Sequence, residues 1–311
     1  MSQIMALLQT VVPILVCIGL GLLARKKEIL TPEQVGGVQQ FVLKFCIPPV
    51  LFNSCLEAKI GAESLTTMVM LLPVLLLSSI WAFNARKKMF PYHNFPMLFA
   101  AHETGMIGLP LCIILFGAGE AYRMGILDLT QGLISIPVMV ILASDTGKGA
   151  SIKTIVKKVL LSPMLIMSLL GFALGLSGII HRLDAIGVGG IIRESTGFLA
   201  QPVSAAMLFS IGYNFSLSSE NRSEVLKIAG IGFAFSVAAC LVMQGVLFLI
   251  PDVDAMTRWV VLLYCALPAS FLAPSLSRNE RESMVSSGVC SLLTIVTLIS
   301  FCVIAALLVC Q

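Results

Sequence analysis

Charge is what this 311-residue chain has least of: Asp, Glu, Lys and Arg make up 12% of it, against about 25% in a soluble domain. That scarcity excludes an ordinary water-soluble globule and a charged disordered chain. Histidine is scarce as well, with three residues. His102-Glu103 begins like a zinc-protease motif, but no histidine follows at the fourth position, and His93 and His181 fall in connections, so metal chemistry has no support. No GKS or GKT loop is present to power a pump, no GxSxG, and no pair of membrane aspartates for an intramembrane protease. An enzyme is not indicated. The nine cysteines (Cys17, Cys46, Cys55, Cys112, Cys240, Cys265, Cys290, Cys302 and Cys310) show no paired spacing and sit inside apolar runs, as small packing residues would. The net charge of +4 lies in short clusters between those runs, which argues against nucleic acid.

What the chain does have is apolar length. Hydrophobic residues make up 58% of it, with a mean hydropathy of +0.99, in runs of about twenty residues, the length that spans a bilayer as a helix. A membrane β-barrel would instead alternate over strands of about ten. The pattern predicts an all-α polytopic membrane protein with ten transmembrane helices, near 4–24, 36–56, 65–84, 95–116, 122–143, 158–180, 190–213, 225–250, 257–276 and 285–309. The first run has no positive charge before it and Arg25, Lys26 and Lys27 after it, the reverse of a signal peptide, and is expected to be retained. The odd-numbered connections hold Arg25, Lys26, Lys27, Arg86, Lys87, Lys88, Lys148, Lys153, Lys157, Lys158, Arg222, Lys227, Arg278 and Arg281. The even-numbered ones hold Lys59, Arg123, Arg182, Arg193 and Arg258. This imbalance predicts odd connections in the cytoplasm and both termini outside an inner or plasma membrane. Lys44, inside the second run near its cytoplasmic end, is expected to snorkel to the interface rather than to touch a solute.

The longest hydrophilic connection, SDTGKGASIKTIVK at 144–157, separates residues 1–143 from 158–311, five spans each. With an odd number of spans, similar halves insert in opposite orientations, so an inverted repeat is expected. LFAAHETGMIGLP (98–110) lies over LLYCALPASFLAP (262–274) without a gap. FCIPPVLFNS (45–54) and LAQPVSAAMLFS (199–210) each carry mid-span proline. Pro13 before Gly19 and Gly21 answers to Pro163 before Gly171 and Gly175.

The runs TGMIGLPL, PPVLF, FLAQPVSAAMLFSIG and ALPASFLAPSL resemble the auxin efflux carrier family, part of a wider group that includes bile-acid sodium symporters. The resemblance covers nearly the whole chain. It implies a secondary transporter whose helices 4 and 9 are broken and cross at mid-membrane. Helices 1, 2, 6 and 7 would form a scaffold, with a homodimer contact through helices 2 and 7, and helices 3–5 and 8–10 a transport domain moving against it as an elevator. Bacterial members carry small organic anions such as malate or malonate and plant members export auxin. No cofactor is implied beyond a coupling proton or sodium ion.

Two broken helices facing each other would expose N–H groups that attract an anion and carbonyls that attract a cation. Gly105 and Gly108 permit close backbone approach, and Pro110 and Pro268 remove helical hydrogen bonds. Glu103 stands where the family has asparagine, a departure that opens three roles: taking up a proton in each cycle, binding sodium, or facing a neutral or cationic solute. Proton coupling is preferred, because an isolated charge inside a bilayer is costly and a proton removes it. His102 either pairs with Glu103 or titrates, or else only packs or makes a helix-to-helix hydrogen bond, and Thr104 offers a hydroxyl. Ser270, with the carbonyls near Ala266 and Leu267, is the counterpart in the second crossing. Asn53 is either a solute contact or a helix-to-helix bond. Asp128 and Gln131, one turn apart in the fifth span, resemble a pattern of bacterial members. Gln201 and Gln244 are weaker candidates, and Arg193 with Glu194 is expected to pair at a helix entrance. The different class to exclude is an uncoupled channel or membrane receptor, which would not need matched broken helices.

Overall fold

The computed structural model describes residues 2–58, 62–145, 157, 160–215, 221–251 and 253–309. Most of the connection at 144–157 lies outside these residues, as do Lys59, Lys148, Lys153, Lys158 and Cys310. No strand occurs among the described residues; the elements are α1 (Ser2–Lys26), α2 (Pro32–Leu56), α3 (Ala62–Lys88), α4 (Met97–Ala100), α5 (Thr104–Phe116), α6 (Ala121–Asp145), α7 (Pro163–Leu176), α8 (Ile179–Ala185), α9 (Val188–Ala200), α10 (Val203–Asn214), α11 (Arg222–Leu249), α12 (Ala255–Cys265) and α13 (Glu280–Val309).

Among the described residues, six helices (α1, α2, α3, α6, α11 and α13) are long and apolar enough to cross a membrane, and α7 with α8 makes a seventh if that pair is one span bent by 76°. The bend falls at Gly178, whose φ of +68° suits a residue without a side chain. The three other predicted spans consist of shorter pieces. Residues 95–116 are divided into α4 and α5, residues 190–213 into α9 and α10 at Gln201-Pro202, and residues 257–276 leave regular helix after Cys265.

Local chemistry explains where α2 starts and bends. Thr31 and Gln34 form a reciprocal capping box, with Pro32 at the first helical position. Pro48 and Pro49 have no N–H to return to Lys44 and Phe45, and the turn just before them, Val42–Cys46, widens to π-helical form. Lys44 itself is exposed.

Two helix pairs approach backbone to backbone: α1 with α10, and α2 with α7. A Cβ on Gly21 of α1 would lie 2.0 Å from the Phe209 carbonyl oxygen, and one on Gly171 of α7 would lie 2.5 Å from the Phe52 carbonyl oxygen. These contacts correspond, since Gly21 follows Pro13 as Gly171 follows Pro163, and Leu51-Phe52 answers to Leu208-Phe209. Interfaces in which small residues let backbones approach are how helices associate where lipid removes the hydrophobic drive.

Polar links sit at the two ends of the bundle. At one end Tyr92 donates to Glu224, which also pairs with Arg281 at 2.9 Å, and buried Glu282 accepts from the N–H groups of His93 (3.2 Å) and Arg278 (2.9 Å). At the other, Arg123 pairs with Glu120 and Asp254, both at 2.6 Å. There the Ser54 hydroxyl ties α2 to the start of α6, donating to Gly119 O (2.7 Å) and accepting from the Tyr122 N–H (2.6 Å). Arg193 does not pair with Glu194. Its guanidinium reaches Asp184 and, at 3.1 Å, Glu57, because neighbours in sequence on a helix point apart while α8 and the end of α2 lie across from it.

Candidate functional site

Between α4 and α5 the chain runs extended: Ala101 has φ −158° and ψ 152°, and helix resumes at Thr104. The segment after α12 does the same beside it. The two join as a single antiparallel bridge between His102 and Ala269. Glu103 N–H donates to Pro268 O at 2.9 Å and Ser270 N–H to Ala101 O at 3.0 Å. Each broken stretch thereby satisfies backbone groups that the other left without a helical partner. Ala266 still closes the last turn of α12, its N–H reaching Leu262 O and Leu263 O, so the second break begins after it.

Glu103 caps the resumed helix. One carboxylate oxygen accepts from Met106 N–H at 3.3 Å, and the other accepts from Phe271 N–H at 2.8 Å. Its side chain thus holds one free amide from each broken stretch. His102 neither contacts nor pairs with that carboxylate: Nδ1 lies 3.0 Å from Leu267 O, and since a carbonyl can only accept, this nitrogen carries the hydrogen. The imidazole meets the Tyr264 ring edge-on at 4.9 Å between centroids.

Gln131 organises the side facing α6. Its Oε1 accepts from His102 N–H (2.9 Å) and the Tyr264 hydroxyl (2.8 Å). Its Nε2 lies 3.1 Å from His102 O and 3.0 Å from both Thr104 Oγ1 and Asp128 Oδ1. The Thr104 hydroxyl donates to Asp128. One amide therefore locks the first broken stretch to α6 and α12 together, and Asp128 and Gln131 join the crossing directly. Among the described residues, neither Glu103 nor Asp128 is bonded to a cationic side chain, and no group of three or more His, Cys, Asp or Glu is placed to hold a metal.

The remaining candidates divide. Gly105 faces the Leu43 side chain, and a Cβ on Gly108 would come within 2.7 Å of Leu267 Cδ1, so a side chain at Gly108 would press into the second stretch. Pro110 has no N–H to return to Met106, and the turn just before it, Thr104–Gly108, is π-helical, as the turn before Pro48 is in α2. Pro268 contributes its carbonyl, and Ser270 is buried with its hydroxyl accepting from Leu272 N–H at 3.3 Å. The Ala266 carbonyl is taken by the Thr297 hydroxyl at 2.6 Å. Asn53 lies apart from the crossing, its carbonyl oxygen accepting from Thr196 of α9 at 2.8 Å. Gln201 is exposed at the α9–α10 break, and Gln244 donates to Arg258 O at 2.8 Å. Sequence reasoning missed Tyr264 and Thr297. The signal for Tyr264 was its place in LLYCALP, a hydroxyl-bearing aromatic two residues before the helix yields.

A family model described as a membrane transport protein matches residues 6–309 of the chain. No curated protein matches it.

Proposed function

The chain belongs to the auxin efflux carrier family of membrane transport proteins, and from that premise we propose that it carries a small organic anion across the membrane together with a proton, through Glu103. The observation that carries this reading is the seat of the Glu103 carboxylate, on Met106 N–H and Phe271 N–H. Those two amides, one beside the start of the α5 half-helix, are the donors that a solute carboxylate at the crossing would need. Ionised Glu103 and an anionic solute compete for them. A proton on Glu103 weakens its hold, frees the amides for the solute, and keeps two negative charges from meeting in a low-dielectric site.

The magnitudes make this exchange workable. A hydrogen bond to a charged group contributes about 1.5–3 kcal/mol, and an acidic side chain at the bilayer centre costs about 2.5–3.5 kcal/mol. Two such bonds and one such cost are of the same order, so the charge is held without a large margin. Proton entry therefore decides whether the amides are occupied.

The finer architecture is part of the same proposal. Ten spans, with α4–α5, α9–α10 and α12 with its continuation counted as three of them, form a five-plus-five inverted repeat with both termini outside. The corresponding contacts of Gly21 and Gly171 support the repeat. Helices α1, α2 and α7–α10 make a scaffold and homodimer face. The rest moves as an elevator. The cationic connections place the Arg281 end in the cytoplasm of an inner or plasma membrane. The absence of a bonded cation at Glu103 and Asp128, among the described residues, favours coupling to a cation and leaves sodium as the second reading.

Uptake into proteoliposomes against a panel of carboxylates, with pH and sodium gradients imposed separately, tests both. The proton reading requires uptake driven by an inward proton gradient in sodium-free medium, and a sodium requirement at constant pH would replace it. Amines competing where anions do not would overturn the solute class.

A further inference from the structure

Met106 and Phe271, whose amides Glu103 holds, also line a cavity of about 340 Å³ together with Gln39 and Asn214. Its volume falls at the lower end of the range of small-molecule pockets, about 300–1,000 Å³. The mechanism above makes no use of it. Its polar lining is neutral: Gln39 from α2, Asn214 from the end of α10, and Ser287, Ser291 and Thr294 from one face of α13. Among the described residues, no charged side chain lines it. Arg25, at the same end of α10, directs its guanidinium to Phe215 O (2.7 Å) and Tyr213 O (3.4 Å) instead.

One lining residue has an unmet need. The amide nitrogen of Gln39 is closed off from solvent and has no hydrogen-bond partner. An unpaired buried donor is costly and rare enough to want a reason. A terminal amide turns about its last bond, so it can present either its donor or its acceptor end to the cavity.

We propose that this cavity holds the transported solute, and that the solute is a short monocarboxylate with one further oxygen, a hydroxyl or oxo group, bonded by Gln39. The inference rests on the transport reading above and narrows its solute. A single carboxylate finds donors in Met106 N–H and Phe271 N–H once Glu103 lets go. A second carboxylate would lie in the cavity with no cation opposite it, which excludes dicarboxylates. The Gln39 amide separates an oxygen-bearing chain from a plain one, because the plain one leaves the amide unpaired.

The test uses the full chain, purified and reconstituted, with four probes: butyrate, 3-hydroxybutyrate, succinate and malate. Wild type is expected to take up 3-hydroxybutyrate about tenfold better than butyrate and the two dicarboxylates poorly. Gln39→Leu is expected to erase the tenfold preference by lowering 3-hydroxybutyrate uptake while butyrate uptake stays, and that retained butyrate flux doubles as the control for folding. Should Gln39→Leu lose all flux, Gln39→Asn, which keeps an amide set one carbon back, decides by the same ratio. Equal loss of both monocarboxylates in Gln39→Asn, or dicarboxylate uptake as fast as 3-hydroxybutyrate, overturns the proposal. Calorimetric titration of the detergent-purified protein separates this failure from that of the transport reading. Binding of 3-hydroxybutyrate that Gln39→Leu weakens, with no flux in any variant, sinks transport and keeps the cavity assignment. No binding of any probe sinks the cavity assignment.

Discussion

At the crossing, residues 102–104 bring side chains and residues 266–271 bring backbone. The first stretch sets His102, Glu103 and Thr104 in a row, each bonded to a different neighbour: Leu267 O, the amides of Met106 and Phe271, and Asp128. The second offers the carbonyls of Ala266, Leu267 and Pro268 and the N–H groups of Ser270 and Phe271, and the one polar side chain among them, Ser270, serves its own loop. The two breaks are thus unlike in role. One carries the ionisable side chains, and the other meets them with backbone groups. Substitutions in the first, or in what supports it, are expected to be severe, and side-chain changes in the second mild.

The largest effect is expected at Gln131, the amide that supports the first stretch. Gln131→Leu strands His102 N–H, His102 O and the Tyr264 hydroxyl in a buried setting, and each orphaned group costs about 1–3 kcal/mol. Thermal unfolding in detergent should show a loss of several degrees or failure to assemble, and an unchanged midpoint would remove Gln131 from its organising role. Next comes Gly108→Ala. The new Cβ would sit 2.7 Å from Leu267 Cδ1 and 3.3 Å from Met124 Sδ, and overpacking of this kind costs about 1–3 kcal/mol. Because the atom met is the end of a leucine side chain, the lower half of that range is expected, and the double variant with Leu267→Ala should lose less than the sum of the two single variants. Ser270→Ala is expected to be smallest, under about 1 kcal/mol, since it removes one bond to Leu272 N–H and leaves the bridge to Ala101 intact. A Ser270→Ala variant as damaged as Gln131→Leu would erase the division between the two stretches.

Much of this was legible in the sequence because lipid leaves a plain record. Long apolar runs without charge become helices, and a run interrupted by His102, Glu103, Gly105, Gly108 and Pro110 cannot stay one. Contact with the crossing was also legible where a polar residue stood in an apolar run, as with Asp128 and Gln131. Partners were not. Asn53 looked as exposed to a solute as Asp128 did, yet it faces Thr196, because the face a helix turns to its neighbours depends on packing that no run of letters records. Which residues bridge was not legible either, because it depends on where α12 ends, and helix boundaries are not fixed to the residue by pattern. Gln39 falls inside the second predicted span, and the sequence marked it for no role. Only the fold turns it toward a cavity.

Proton coupling as proposed requires the Glu103 carboxylate to hold Met106 N–H and Phe271 N–H until a proton releases it. Glu103→Gln keeps an oxygen to accept from one of these amides and removes the titration. The measurement is the initial rate of carboxylate uptake into sodium-free proteoliposomes across external pH, for wild type and Glu103→Gln at equal reconstitution. Wild type should slow as external pH rises and respond to an imposed proton gradient, whereas Glu103→Gln should be insensitive to that gradient and at least about tenfold slower under it. A variant that kept the full pH dependence of the wild type would contradict the account.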